Sequence, residues 1–311
     1  VLTKIKKIAK DLYLPYHKRV DYHTKPYLLL YHLVFDSAIL IKNYILYFPQ
    51  IISEFKRTRK FKNAYKRKNA FVFANGPSLR KIDFRKVEKY RRQEGFKLFG
   101  VNSFVLLENK VIPDFYVLSD PAFFGDFRYV NEKRKEEIVK TVKILSEQKI
   151  PLFVPINFAK IIKKSNIFRQ NDIFFFNDFE FLWFNKNVSN ILLPRAYQSM
   201  TAYKAISIAL YMGFEKIYIC GFDNNWFKFI EVNKENKIMY INEHFKNQAD
   251  DGVRIVPSWE AKNLGELLHG FAMLFYDLYK FPRDKIINLD KESLVDAFSK
   301  KHNLDIYTDG N

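Results

Sequence analysis

The chain has 311 residues, 48% of them hydrophobic and 17% aromatic, with a formal charge of +18. That apolar content excludes a disordered tail. A single cysteine, Cys220, excludes a disulfide scaffold and is consistent with a reducing compartment. No glycine period, sustained heptad or long self-similar repeat is present, and the length suits one large α/β domain with an appendage, or two small domains.

The charge is unevenly placed. Residues 1–70 hold 16 Lys/Arg against four acids, a net +12; the other 241 residues hold 36 against 30, a net +6. Within the basic segment, residues 27–52 are mostly apolar, with Asp36 and Lys42 as their only full charges, and residues 56–68 (KRTRKFKNAYKRK) carry eight basic residues and no acid. The apolar stretch is interrupted too early for a transmembrane helix. It also lies too far in, without a small-residue cleavage site, for a signal peptide. Residues 1–68 are therefore expected to form a helical, basic N-terminal segment. Two readings of it stay open: docking on an anionic cytoplasmic membrane leaflet, or an apolar helix that covers the core followed by a solvated basic linker. No zinc spacing, helix-turn-helix or RNP pattern accompanies the charge, so nucleic acid is not the expected partner.

From residue 69 strands and helices alternate. Apolar runs predict strands at 70–76 (AFVFANG), 96–102, 114–120, 151–157, 173–178, 216–223 (KIYICGFD) and 285–289. Helical spacing predicts connections at 78–90, 132–149, 199–213, 258–280 and a closing helix at 293–298. Continuous apolar strands alternating with helices argue for an α/β fold, a mainly parallel, doubly wound, Rossmann-like sheet covered on both faces. Ligands of such sheets bind beyond the carboxyl ends of the strands.

Those ends are polar. The first strand ends in Asn75-Gly76-Pro77-Ser78-Leu79, the second at Asn102-Ser103, and the third at Ser119-Asp120-Pro121. Gly76 permits an unusual backbone, Pro77 suits a first helical turn, and the amides there offer a phosphate site. Gln198, Ser199 and Thr201 put further donors at a helix start, where simple capping is the alternative. Gly221 and Asp223 close the next strand at the same edge. The long loop 224–257 has the length of a lid and carries His244 and the pair Asp250 and Asp251. His269 sits within an amphipathic helix, and the remaining histidines lie near the termini. No Walker A, H-E-x-x-H or serine nucleophile elbow is present, and no Asp-x-Asp follows a strand.

The Asn-Gly-Pro-Ser-Leu turn, Asn102 after the second strand, and the stretch from Thr201 to Asp223 (TAYKAISIALYMGFEKIYICGFD) together resemble the bacterial sialyltransferases that use CMP-sialic acid. They also resemble a broader bacterial and archaeal family with the same Gly-Pro-Ser-Leu turn. That family includes motility-accessory and surface-polysaccharide glycosyltransferases and archaeal pterin pyrophosphokinases. The likeness runs through about residues 70–300, is patchy between 125 and 195, and leaves out the first 69.

The resemblance implies that 69–311 is a Rossmann-like, GT-A-like domain that binds a nucleotide sugar. CMP would be held by Asn75, Gly76, Pro77, Ser78 and Asn102, with Ser119, Asp120, Ser199, Thr201, Gly221 and Asp223 around it, and His244 would be the general base. The implied reaction is metal-independent inverting transfer of a nonulosonic acid, such as sialic acid, from a CMP donor to a glycan hydroxyl, possible acceptors including lipid-linked ones. No cofactor is implied, and the enzyme would sit in the cytoplasm, peripheral to the inner face of the membrane. Ser119-Asp120-Pro121 departs from the sialyltransferase pattern and looks like the broader family. The alternatives are a Mg²⁺- and ATP-dependent pyrophosphokinase of the pterin type, with Asp120 and Asp223 as metal ligands, and a non-enzymatic membrane- or nucleic-acid-binding protein.

Overall fold

The computed structural model describes residues 26–107, 111–128, 130–179, 186–195, 200–241, 253–256, 261–301 and 304. Its centre is an eight-stranded sheet in the order β11-β10-β6-β1-β2-β3-β4-β5. The strands are β1 (Ala70–Phe73), β2 (Lys97–Val101), β3 (Phe115–Val117), β4 (Leu152–Pro155), β5 (Ile173–Phe176), β6 (Ile217–Cys220), β10 (Ile286–Asn288) and β11 (Ser299–Lys300). Every neighbouring pair in it is parallel. A second, three-stranded antiparallel sheet consists of β7 (Glu231–Val232), β8 (Ile238–Ile241) and β9 (Val253–Ile255).

The strands lack an apolar–polar alternation because both faces are covered. In β1, Phe71 and Phe73 join one core, while Ala70 and Val72 join the other; in β6, Tyr218 and Cys220 divide from Ile217 and Ile219 in the same way. The first core is closed by α2 (Phe84–Glu94), α3 (Glu132–Glu147) and α4 (Ala159–Ser165), the second by α5 (Thr201–Met212) and α6 (Leu264–Leu278). Local chemistry sets the helix ends. Asp83 and Asn131 each accept a backbone N–H of their first turn, and Gly95 and Gly213 end α2 and α5 in the left-handed region.

The N-terminal segment contributes α1 (Pro26–Thr58), and one side of its C-terminal half belongs to the body. Ile51 is buried in the first core, with Leu40, Tyr44, Tyr47 and Phe55 packed against it. The Thr58 hydroxyl donates to the Phe175 carbonyl of β5 at 3.2 Å, and Phe61 is buried in the second core. Residues on both sides of 68/69 thus pack into the same two cores. The basic run is also tied to the body: the Asn63 and Tyr65 amides donate to the Tyr211 and Met212 carbonyls at the end of α5, and Tyr65 stacks on Phe214. Its lysines and arginines remain exposed. Val34, Ile41, Ile45, Phe48 and Ile52 form an exposed apolar stripe along the other side of α1. Among the described residues no helix is long and apolar enough to cross a membrane.

Three expected elements differ. The connection at 78–90 is two pieces, a 3-10 turn at Pro77–Lys81 and then α2, because Asp83 caps a new helix start. The helix expected at 258–280 runs only from Leu264 to Leu278; Asn263 starts it by accepting the Glu266 amide, and Glu266 answers by accepting the Lys262 amide. The closing helix at 293–298 does not form. The Ser293 hydroxyl donates to the Phe222 carbonyl and the Leu294 amide to the Asp223 carbonyl. The segment is thus laced to the β6 end, and the chain continues directly into β11.

Candidate functional site

Strands β1 to β5 step outward in one direction, and β6 returns to the other side of β1. This reversal opens a crevice at the carboxyl ends of β1 and β6, the place where doubly wound sheets bind ligands. A cleft of about 830 Å³ lies there. It is lined from β1 by Asn75, Gly76 and Pro77, from β2 by Asn102, from β3 by Ser119 and Asp120, and from β4 by Asn157. Asp178 after β5, Thr201 and Lys204 on α5, and Gly221, Asp223, Asn224 and Trp226 after β6 complete the wall.

Two glycines make the crevice possible. The Gly76 amide donates to the Gly221 carbonyl at 2.8 Å. A Cβ on Gly76 would lie 1.9 Å from Asp223 Oδ2 and 2.6 Å from the Gly221 oxygen, so no side chain fits. Gly221 itself has φ +70°, the left-handed region that favours glycine.

The Gly-Pro-Ser turn does not offer the free amides expected of it. The Ser78 amide donates to Asp223 Oδ1 at 3.1 Å, and its hydroxyl donates to Asp223 Oδ2 at 2.8 Å. Pro77 has no N–H, and the Leu79 amide donates to the Gly76 carbonyl. The turn is committed to holding Asp223. Ser78 lies outside the cleft lining, in a small neighbouring cavity with Asp290 and Lys81. Burial, and next the negative charge of Asp290, raise the Asp223 carboxyl to about 7, against the lowering effect of the Ser78 hydroxyl. Asp223 is thus a cleft group that can hold a proton near neutral pH.

Asn75 and Asn102 each bury a side-chain carbonyl oxygen that finds no hydrogen-bond partner among the described residues. Unsatisfied buried acceptors are costly, and a ligand that donates to them recovers that cost. Asn102 is held at φ +47°. Its backbone carbonyl accepts from the Tyr116 hydroxyl at 2.7 Å, and the Tyr116 hydroxyl oxygen in turn accepts the Val105 amide at 2.8 Å. Ser119 and Thr201, 82 residues apart, meet at 2.7 Å between their hydroxyls. Asp120 accepts the Ala122 amide and lies 3.8 Å from the Arg134 guanidinium.

The far wall holds residues that the strand-end reading passed over. Lys204 donates to Asp178 Oδ2 at 2.6 Å, while Arg195 places Nε 3.7 Å from Asp178 Oδ1 and donates to the Asn177 carbonyl. All three are largely buried. A sequence signal existed: Lys204 is the one charge in TAYKAISIALYM, a helix otherwise buried almost throughout. Asn157 also lines the cleft and had no such signal.

Of the expected site residues, Asn75, Gly76, Pro77, Asn102, Ser119, Asp120, Thr201, Gly221 and Asp223 line this single cleft. Ser199, His244, Asp250 and Asp251 lie outside the described residues. Cys220 is fully buried, and burial pushes its thiol far above the usual range, so it is no nucleophile. Among the described residues, no three His, Cys, Asp or Glu side chains come together as a metal site.

Two solved structures have a low-level similarity to the chain. A Maf glycosyltransferase from Magnetospirillum magneticum AMB-1 has 12% identity and a TM-score of 0.43; the alignment covers 80% of this chain and 37% of that one. The sialyltransferase CstII from Campylobacter jejuni, solved in complex with a substrate analogue, cytidine-5'-monophosphate, has 14% identity and a TM-score of 0.36, over 76% of this chain and 85% of that one. This chain thus spans well under half the length of the Maf protein. No curated protein matches it. The family model described as "6-hydroxymethylpterin diphosphokinase MptE-like" matches residues 42–228, more than half of the sequence and nearly all of the cleft, and the chain belongs to that MptE-like family.

Proposed function

We propose that the chain is a nucleotide-dependent transferase of the glycosyltransferase type, whose cleft takes a CMP-activated nonulosonic acid and passes the sugar to a glycan hydroxyl. The observation that carries this reading is the pair of unsatisfied side-chain oxygens on Asn75 and Asn102, on adjacent strand ends that line a cleft of nucleotide size. Acceptors of this kind suit the amino group of a cytosine or the hydroxyls of a ribose. Ser119 and Thr201 add hydroxyls that both donate and accept.

The reaction would be a single inverting displacement. The acceptor oxygen bonds to the anomeric carbon as the bond from that carbon to the CMP phosphate oxygen breaks, and CMP leaves with the electron pair. The acceptor proton passes to His244, whose side-chain chemistry suits neutral pH. The scheme needs no metal. A thermal-shift series with CMP, UDP, GDP and ATP, with and without Mg²⁺, tests it, since a ligand of the folded state alone raises apparent stability. CMP should stabilise most, without Mg²⁺. A response confined to ATP with Mg²⁺ would sink the reading.

The family description favours a second reading, a diphosphokinase that moves a diphosphate from ATP. Asp120 and Asp223 both line the cleft and are the residues that would hold a magnesium ion, which would neutralise the phosphates. Asp223 fits that role less well, since its oxygens already accept from Ser78 and its carboxyl holds its proton to about 7. Magnesium-dependent release of AMP would identify this activity.

The exposed stripe of α1 is read as the site of contact with an anionic lipid surface on the cytoplasmic side, where a lipid-linked acceptor would be met. Charge selects this occupant. The stripe leads into the exposed Lys56, Arg57, Arg59, Lys60 and Lys62, which an anionic surface attracts and a second copy of the same chain repels. The chain should sediment with phosphatidylserine vesicles and not with phosphatidylcholine vesicles, and Phe48→Asp should abolish the difference.

A further inference from the structure

We infer that Lys204 is the phosphate-binding residue of the cleft, held in place by Asp178, and that it takes the role the Gly-Pro-Ser turn cannot fill. This rests on the reading of the cleft as a nucleotide site.

The amides of the turn are spent on Asp223 and on the turn itself. A phosphate in the crevice therefore needs another source of positive charge, and the wall opposite supplies one. Lys204 and Arg195 both approach one carboxylate, Asp178. The side chains are 9%, 2% and 14% exposed, for Lys204, Arg195 and Asp178 respectively. An ammonium at that depth is costly unless counter-charge and acceptors meet it.

The cleft is where that counter-charge can enter. Lys204 and Asp178 both line it. Arg195 is turned to structural work: it donates to the Asn177 carbonyl and lies over the Phe176 ring. Lys204 has three ammonium protons, and among the described residues its side-chain partner is Asp178 alone. Two protons remain for an anion. Lys204 lies one helical turn along α5 from Thr201, and i, i+3 residues share a helix face. The ammonium and the Ser119–Thr201 hydroxyl pair therefore present a cation and hydroxyl donors to one side of the cleft. The ligand class is a phosphate or diphosphate ester. Asp178 is a positioning residue, acting through Lys204.

The test uses the full chain and two probes. Inorganic pyrophosphate should raise the melting temperature of the wild type, Lys204→Arg should keep most of the rise, and Lys204→Met should lose it. In titrations, Lys204→Met should weaken CMP binding by about 10- to 150-fold, the range of a hydrogen bond to a charged group, and leave cytidine binding unchanged. Asp178→Asn, which takes the paired carboxylate from Lys204, should melt lower alone and gain more from pyrophosphate than the wild type. A wild type indifferent to pyrophosphate, or a Lys204→Met that responds as fully as wild type, overturns the assignment. If Lys204→Met does not fold, the Asp178→Asn/Lys204→Met double variant removes the stranded carboxylate and gives the same readout. A pyrophosphate response that depends on Lys204, with no preference for CMP among the nucleotides, upholds the phosphate site and removes the cytidine reading.

Discussion

Asp223 and Ser78 are 145 residues apart, and one carboxylate binds both the amide and the hydroxyl of that serine. The bond ties the end of β6 to the turn after β1 across the crevice. It also uses up the donors that a strand-glycine-helix sequence advertises as a phosphate cradle.

The first consequence is a pH dependence of stability. Asp223 keeps its proton to about 7 in the folded chain, because burial and Asp290 outweigh Ser78, but loses it in the usual carboxylate range when unfolded. Between those values the folded state binds more protons, so the contribution of Asp223 is full at the acid end and is lost as pH rises through about 7. The slope is at most about 1.4 kcal/mol per pH unit. Urea unfolding of wild type and Asp223→Asn between about pH 5 and 8 should show the wild type losing ground to the variant as pH rises. A constant difference would remove Asp223 as the cause.

Gly76→Ala should be disruptive out of proportion to one methyl group. The new carbon would meet Asp223 Oδ2 and the fixed backbone oxygen of Gly221, so β1 and β6 must part at their ends. A loss of about 1–3 kcal/mol is expected, with loss of the nucleotide response. A variant with unchanged melting temperature and unchanged binding would contradict this geometry.

Asn102→Gly separates the side chain from the backbone. Glycine keeps the left-handed conformation that Asn102 holds at φ +47°, so folding should be little affected while one unsatisfied acceptor disappears. Nucleotide affinity should fall about tenfold. Calorimetric titration measures it, and unchanged affinity would place the nucleotide elsewhere.

His244→Ala should leave donor binding intact and lower turnover by about 10²–10⁴-fold, as for a lost general base. Asp223→Asn should retain most turnover. The reverse pattern, measured as CMP release, would transfer the proton-accepting role to Asp223.

The sheet was legible because its strands are short, continuous apolar runs bounded by Asn, Gly or Asp, and their order placed Asn75, Asn102, Ser119 and Asp223 at one edge. The pairing of Ser78 with Asp223 was not legible, since it joins residues that only the sheet order brings together. Lys204 was hidden for a different reason: α5 reads as an apolar core helix, and the Asp178 that partners its one charge lies 26 residues away in sequence. The segment at 293–298 has helical composition, but its hydrogen bonds go to the carbonyls after β6. Tertiary contacts of this kind override local preference.

The placement of α1 bears on how copies of the chain meet. β5 is one of the two outer strands of the large sheet, and an open strand edge is a template on which another chain can add itself. The Thr58 hydroxyl occupies the Phe175 carbonyl on that strand, and the helix lies alongside it. The basic N-terminal helix thus also guards against sheet-to-sheet aggregation: shortening the protein to residues 69–311 would uncover a margin along which that body can polymerise.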